Sequence, residues 1–300
     1  LGPPEDFPEK KEKIFIRQLW SSPLVFRRAS KDHTLCDDAK AFNTEARRRV
    51  QKYRDTDGKV SDGDRILILG EDEDPKKQEG LDAIVVKADT AFNTLNGASD
   101  TTFSAYLLAP QPKSDDEEEE EIRTKNNSSV ILQFTIGVGK KADACKFLTG
   151  GDAGVAIWER LWARHKKNPE YLVYDVLLTP HHCSWHTLSY DSISDKGEDA
   201  EVSKDAKSAL SQTRKYARLI ASCKKIKDDN DDPPSHRAAE EYRAIAKKAE
   251  GSFDETSNFD GEPLELDITE DGPSLKKARR QKGGTTSGSG AIGGSVLGHG

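Results

Sequence analysis

Two apolar runs, each closing in residues that can ligate a divalent metal, constrain this chain more than any other feature. Residues 145–149 run into Gly150-Gly151-Asp152-Ala153, and residues 171–179 run into Pro180-His181-His182-Cys183-Ser184-Trp185-His186. Short apolar runs bounded by turn residues read as buried strands. One strand then delivers an aspartate and the next delivers a histidine pair, which is how a metal site is assembled at one edge of a sheet. Imidazole with carboxylate favours zinc, manganese or iron over calcium, and a metal held there can activate water for hydrolysis. Three of the seven histidines lie between positions 181 and 186, a density that argues against a polar turn with incidental histidines.

Charged residues make up 33% of the chain and apolar ones 34%, so the core has to come from a few concentrated segments. No run approaches the roughly eighteen apolar residues of a membrane span, and the expected location is cytoplasmic. A net charge of −7 repels phosphate and gives no global case for a nucleic-acid partner. Cys36, Cys145, Cys183 and Cys223 are scattered without a CxxC pair, as reduced thiols in a cytosolic protein would be. Cys183 lies inside the histidine motif, where it either approaches a metal or fills a tight loop. The chain opens at Leu1 and holds no methionine among its 300 residues, which leads us to expect a fragment that lacks its N-terminal part.

Residues 1–13 read as an irregular lead-in, and Ile14-Phe15-Ile16 starts a short strand that reaches Leu19-Trp20. Residues 37–53 read as an amphipathic helix with Phe42, Ala46 and Val50 on one face. Arg47, Arg48 and Arg49 beside that stripe are either a phosphate-binding patch or a solvated helix face. Strands are expected at 66–69, 103–109 and 130–136. The polar insertion at 111–127 contains an unbroken acidic run, 115–121, whose mutual repulsion reads as a disordered loop; a regulatory or partner-mimicking role is the alternative. A helix over 153–165 places Ile157, Trp158, Leu161 and Trp162 on its buried side. Then come a polar loop at 189–204, a helix through Leu210 and Tyr216, a short strand at 219–222 and an acidic turn at 228–234. A helix at 236–248 and a strand at 264–268 complete the pattern. The segment 271–300 is basic and then Gly/Ser-rich, with Lys276, Lys277, Arg279 and Arg280 as candidate nucleic-acid contacts. Strands interleaved with helices indicate an α/β layered sheet, here one domain over 14–270.

Each candidate site residue has two readings. Asp152 is either a metal ligand or the N-cap of the helix that follows it. Of His181 and His182 at least one ligates while its neighbour orients or donates a proton. His236, in Asp231-Asp232-Pro233-Pro234-Ser235-His236-Arg237, is either aimed at the same sheet edge by the proline-fixed turn or is a solvent-facing residue at a helix start. Asp231 and Asp232 are candidates for stabilising that helix N-terminus.

The ordered set Asn126-Asn127-Ser128-Ser129-Val130-Ile131-Leu132, then Phe147-Leu148-Thr149-Gly150-Gly151-Asp152-Ala153, then Asp175-Val176-Leu177-Leu178-Thr179-Pro180-His181-His182-Cys183-Ser184, resembles the metallo-β-lactamase-fold hydrolases. It is similar above all to the hydrolase domain of the bacterial competence DNA-uptake channel protein and its soluble relatives. In that branch an Asn-x-x-Ser strand, a Thr-Gly-Asp-Ala turn and a Pro-His-His-Gly-Ser turn occur in this order, and Pro233-Pro234-Ser235-His236 resembles a later Gly-His-Pro turn. The resemblance covers about residues 103–268. This sequence departs from the pattern in the extra Gly151 and in Cys183, which stands where the family has glycine. It also lacks the family's upstream His-x-His-x-Asp-His motif, of which Asp32-His33 is a faint echo.

The resemblance implies an αββα sandwich, with two sheets inside and helices outside. It also implies a site holding two divalent metals, zinc or manganese, whose shared hydroxide attacks a phosphodiester or other ester. Asp152, His181, His182 and His236 would be ligands, with Asp152 bridging and His182 beside the reaction. With half of the ligand set present, the expectation for this chain alone is weak metal binding and no turnover. A non-catalytic binding or scaffold module on the same fold is the alternative.

Overall fold

The computed structural model describes residues 15–23, 35–72, 75–112 and 129–276. The lead-in at 1–13, Ile14, the pair Asp32-His33, Asn126 to Ser128 of the first motif, the acidic run and the basic residues Lys277, Arg279 and Arg280 lie outside them. The described chain is mixed α/β. Its elements are β1 (Gln18–Ser21), α1 (Asp37–Asp55), β2 (Arg65–Leu69), β3 (Val85–Val86), β4 (Ala91–Phe92), β5 (Thr94–Leu95), β6 (Ala98–Ser99), β7 (Phe103–Ala109), β8 (Ile131–Val138) and β9 (Lys141–Thr149). They continue with α2 (Val155–His165), β10 (Tyr174–Leu178), α3 (Ile193–Lys196), α4 (Lys204–Leu210), β11 (Thr213–Ala221), α5 (His236–Lys248), β12 (Ser252–Glu255), β13 (Leu266–Thr269) and β14 (Gly272–Leu275).

Seven strands form the larger sheet in the order β12-β11-β10-β9-β8-β7-β4. β9 to β12 run parallel, and β4, β7 and β8 join them in antiparallel pairs. The parallel strands step across the sheet in one direction with a helix in each connection. Right-handed crossovers wound one way place all their helices on one face. In agreement, Trp158 and Leu161 of α2, Leu210 of α4 and Tyr242 of α5 share one core with Leu148, Leu177 and Leu219 of the strands. Strand alternation sends the intervening Phe147, Val176, Leu178 and Ile220 to the opposite face, where they pack with Leu266 and Ile268 of the hairpin β13–β14.

Nearer β7 and β8 that opposite face is covered by a second sheet, the all-parallel β1-β2-β3. Leu107 and Leu132 of the large sheet share a core with Ile66 to Leu69 of β2 and with Ala46 and Val50 of α1. All four apolar residues of β2 are buried, so both of its faces are covered. The arginine run 47–49 of α1, read as either a phosphate-binding patch or a solvated helix face, divides here. Arg49 is buried and bonds Glu45 and the carbonyls of Arg65 and Ile16. Arg48 bonds Glu45, Asp64 and the Gly63 carbonyl, which leaves Arg47 on the exposed side.

Several expected boundaries move. The helix expected to run through Leu210 and Tyr216 ends at Leu210, because β11 takes up residues 213–221 to pair with β10 and β12. β10 starts at Tyr174 and not at 171, since Pro169–Leu172 is a 3-10 turn opened by a proline that cannot donate to a ladder. β12 escapes sequence reading because Ser-Phe-Asp-Glu has no apolar run. Among the described residues no helix is long and apolar enough to cross a membrane. Lys276 pairs with Glu265 across the start of the last hairpin, at 2.7 Å.

Candidate functional site at the carboxyl edge of the parallel strands

Register fixes which turns meet. Leu178 lies opposite Thr149 on one side and Ile220 on the other. The turn after β9, carrying Asp152, therefore adjoins the turn after β10, carrying His181 and His182, and the end of β11 lies beyond it. Ligands of parallel sheets bind at this carboxyl edge.

Each turn is pinned to the next through its backbone. The Asp152 N–H donates to Ser129 Oγ at 3.0 Å, and the His181 N–H donates to the Gly151 carbonyl at 2.8 Å. The Asp152 carboxylate makes no hydrogen bond or ion pair among the described residues. It is not the helix cap either, because Gly154 occupies that position without a side-chain cap bond. Gly150 permits the close approach of the two turns: a Cβ there would lie 2.4 Å from Pro180 Cγ and 2.8 Å from Pro180 Cα. The extra Gly151 has φ +51 and passes close to Ser129. Gly150→Ala is therefore expected to cost about 1–3 kcal/mol, the usual range for overpacking, and to lower the thermal midpoint by several degrees. An unchanged midpoint in a thermal melt would mean that the turns have room to part.

The histidine turn is left-handed over three successive residues, with φ +46 at His181, +54 at His182 and +71 at Cys183. Such backbone costs roughly 1–2 kcal/mol per residue when glycine is absent, so neighbours must hold it. The Cys183 N–H reaches the Pro180 carbonyl at 3.0 Å and the Ser235 N–H reaches the Cys183 carbonyl at 3.0 Å. His182 Nδ1 lies 2.7 Å from the Ser222 carbonyl. A carbonyl can only accept, so Nδ1 carries a proton, and in the neutral ring the lone pair is on Nε2. That is the tautomer and the second-partner arrangement that orients a ligating or proton-accepting imidazole. His182 is exposed and His181 half-buried, with ring centroids 6.5 Å apart.

The loop before α5 completes the edge. Ser235, not Asp231 or Asp232, caps α5 by accepting the Ala238 N–H. Asp231 pairs with Lys224 at 2.7 Å, and the Asp232 carboxylate takes the Trp185 N–H at 3.1 and 3.2 Å. His236 is the first residue of α5, with Nδ1 3.8 Å from Asp228. The backbone bond from Ser235 to Cys183 brings this segment, and so His236, to the histidine turn. His186 stands 3.9 Å from Asp232 and is exposed. Cys183 faces the helix-side core, fully buried. Burial pushes its thiol above the usual range, and its place in that core makes it the filler of a tight loop.

The donor types suit a divalent metal, and Asp152 and His182 are accessible. Their grouping falls short: among the described residues no three histidine, cysteine, aspartate or glutamate side chains are placed to hold one ion. These donors alone do not fit the two-metal site that the resemblance implies. Sequence reading missed the parts played by Ser222 and Asp232. Ser222 acts through its backbone carbonyl, which leaves no mark in side-chain chemistry. Compared with known proteins, the chain matches no family model, no curated protein and no solved structure.

Proposed function

We infer that this chain is a hydrolase domain of the metallo-β-lactamase type, an αββα sandwich that works at the carboxyl edge of β9, β10 and β11. The observation that carries the reading is the pairing of two turns at adjacent parallel strands. One carries Asp152, whose carboxylate has no partner among the described residues, and the other carries His182, with Nδ1 committed to the Ser222 carbonyl. In this reading Asp152 and His182 face the reacting ester or phosphodiester, and His181 and His236 line the same edge. A metal pair needs the upstream half of the ligand set as well, the His-x-His-x-Asp-His motif that this sequence lacks. The fold type leaves the substrate open, since one fold hosts many chemistries. The four cysteines are free thiols, which supports a reducing, cytoplasmic setting.

A second reading, a non-catalytic binding module on the same fold, is favoured by the small number of donors that converge at the edge. Zinc titration and hydrolysis of a chromogenic phosphodiester separate the two. The expected result for the 300-residue chain is weak zinc binding, reduced by both Asp152→Ala and His182→Ala, without turnover. Zinc binding that ignores both substitutions would sink the hydrolase reading. Absence of any zinc binding would leave the binding module, and chelator-sensitive turnover would overturn the expectation that this chain is inactive alone.

A further inference from the structure

The two faces of the parallel strands are covered unequally. On the helix side, α2, α4 and α5 seal a core in which Trp158, Leu210 and Tyr242 are wholly buried. On the other side the cover over β9, β10 and β11 is the hairpin β13–β14, which pairs with no further strand among the described residues. Every residue from 264 to 276 keeps some exposure to solvent. Leu264, Leu266 and Ile268, at alternate positions, pack onto Cys145, Val176 and Ile220, while Glu265, Asp267 and Thr269 are exposed. Two strands alone are marginally stable in water, so this packing both seats the hairpin and keeps it folded.

The polar attachment is as slight. Among the described residues a single hydrogen bond ties the hairpin to the large sheet: Glu270, at the hairpin tip, accepts the Lys140 N–H of the β8–β9 turn at 2.8 Å. Its carboxylate sits where a side chain on Gly139 would collide with it. Lys276 and Glu265 pair inside the hairpin's own stem and add nothing to the seat. The surface beneath is apolar, with Ile136, Phe147 and Leu178 around the three buried residues. Leu178 is the last residue of β10 and Ile220 lies two residues before Ser222. The covered face therefore runs up to the carboxyl edge.

We propose that β13–β14 is a detachable strap. It opens as a unit while both larger sheets stay folded, and the open form presents the apolar face of β9, β10 and β11 beside the carboxyl edge. Elements held by few buried contacts open locally, at a smaller free energy than the whole fold. The strap is a property of the cover alone and stands whether or not that edge is a hydrolase site. Two cysteines on opposite faces test it. Cys145, 1% exposed, lies under the strap, and Cys183, 0% exposed, lies in the helix-side core. Labelling of the 300-residue chain with N-ethylmaleimide, resolved by peptide mass spectrometry and normalised to the urea-unfolded chain, reads each thiol separately. Cys145 is expected to react about ten-fold or more faster than Cys183. Glu270→Ala, at an exposed position, should speed Cys145 labelling by roughly a further three- to ten-fold. Cys183 labelling and the main thermal transition should not change. The proposal is overturned if the two cysteines label at one rate, which would make the hairpin part of a single cooperative fold, or if Cys183 is the faster. It also fails if Glu270→Ala leaves Cys145 labelling unchanged or speeds both thiols alike.

Discussion

Glu45→Ala is expected to lower the stability of the chain by roughly 3–5 kcal/mol, the usual cost of removing one partner from a buried ion pair. Glu45 and Arg49 are each 3% exposed and 2.7 Å apart. The carboxylate also takes two bonds from Arg48, at 2.8 and 2.9 Å. Without it the Arg49 guanidinium stays buried with only the carbonyls of Arg65 and Ile16 to hold its charge. At about 2–4 °C per kcal/mol for a chain of this size, the thermal midpoint should drop by roughly 10 °C. Glu45→Gln, which keeps the shape and one acceptor, should lose less.

The pH dependence supplies the sign. Burial alone would raise the pKa of Glu45, but the hydrogen bonds and charges of Arg48 and Arg49 outweigh it and hold the carboxyl below its usual range. A depressed carboxyl contributes stability that is fully present above its unfolded pKa, about 4.3, and is lost as pH falls through the folded value. The stability gap between the parent chain and Glu45→Gln should therefore narrow on acidification below about pH 4. Urea melts at neutral and acid pH measure it, and a gap that widens in acid would refute the assignment.

Sequence reading located what depends on apolar periodicity and missed what depends on pairing. The runs at 66–69, 103–109 and 145–149 are strands because each buries several apolar side chains at once. β12 is a strand because β11 offers it an edge: Arg218 to Ala221 pair with Ser252 to Glu255, and its own sequence has one large apolar residue. Tyr216 shows the converse. Its aromatic ring was expected on a helix, yet it sits in β11 at 65% exposure with φ +65. At the candidate edge, the sequence places Asp152 and the histidines in turns that close apolar strands, and the structure brings those turns together at neighbouring strand ends. How they are held is not legible in the sequence. Ser129 Oγ binds a backbone N–H, Ser222 supplies a backbone carbonyl and Asp232 binds the backbone of Trp185, contacts that only the closed sheet creates.

Trp185→Ala is expected to be as costly as the loss of Glu45, and to report directly on the edge. Trp185 is fully buried in the helix-side core, two residues beyond the left-handed turn. Its indole N–H donates to the Asp191 carbonyl at 2.9 Å, and its backbone N–H is the one held by Asp232. The Arg237 guanidinium lies 4.6 Å from its ring centroid while bonding the carbonyls of Gly197, Glu198 and Ala200. One indole thus ties the histidine turn to α5 and to the segment around α3. Truncation of a buried tryptophan costs about 3–5 kcal/mol, and a stacked cation adds roughly 0.5–2 kcal/mol of attraction that is lost with the ring. Trp185→Phe keeps most of the packing and should cost less, chiefly the Asp191 bond and a carbonyl left unpaired, about 1–3 kcal/mol. Because His182 is three residues upstream in a strained turn, its imidazole should gain motion in Trp185→Ala. Side-chain NMR of His182 in chains still folded at low temperature would show this as an exchange-broadened Nδ1 proton signal. A sharp, unshifted signal in the alanine variant would mean that the Ser222 and Ser235 contacts hold the turn without Trp185.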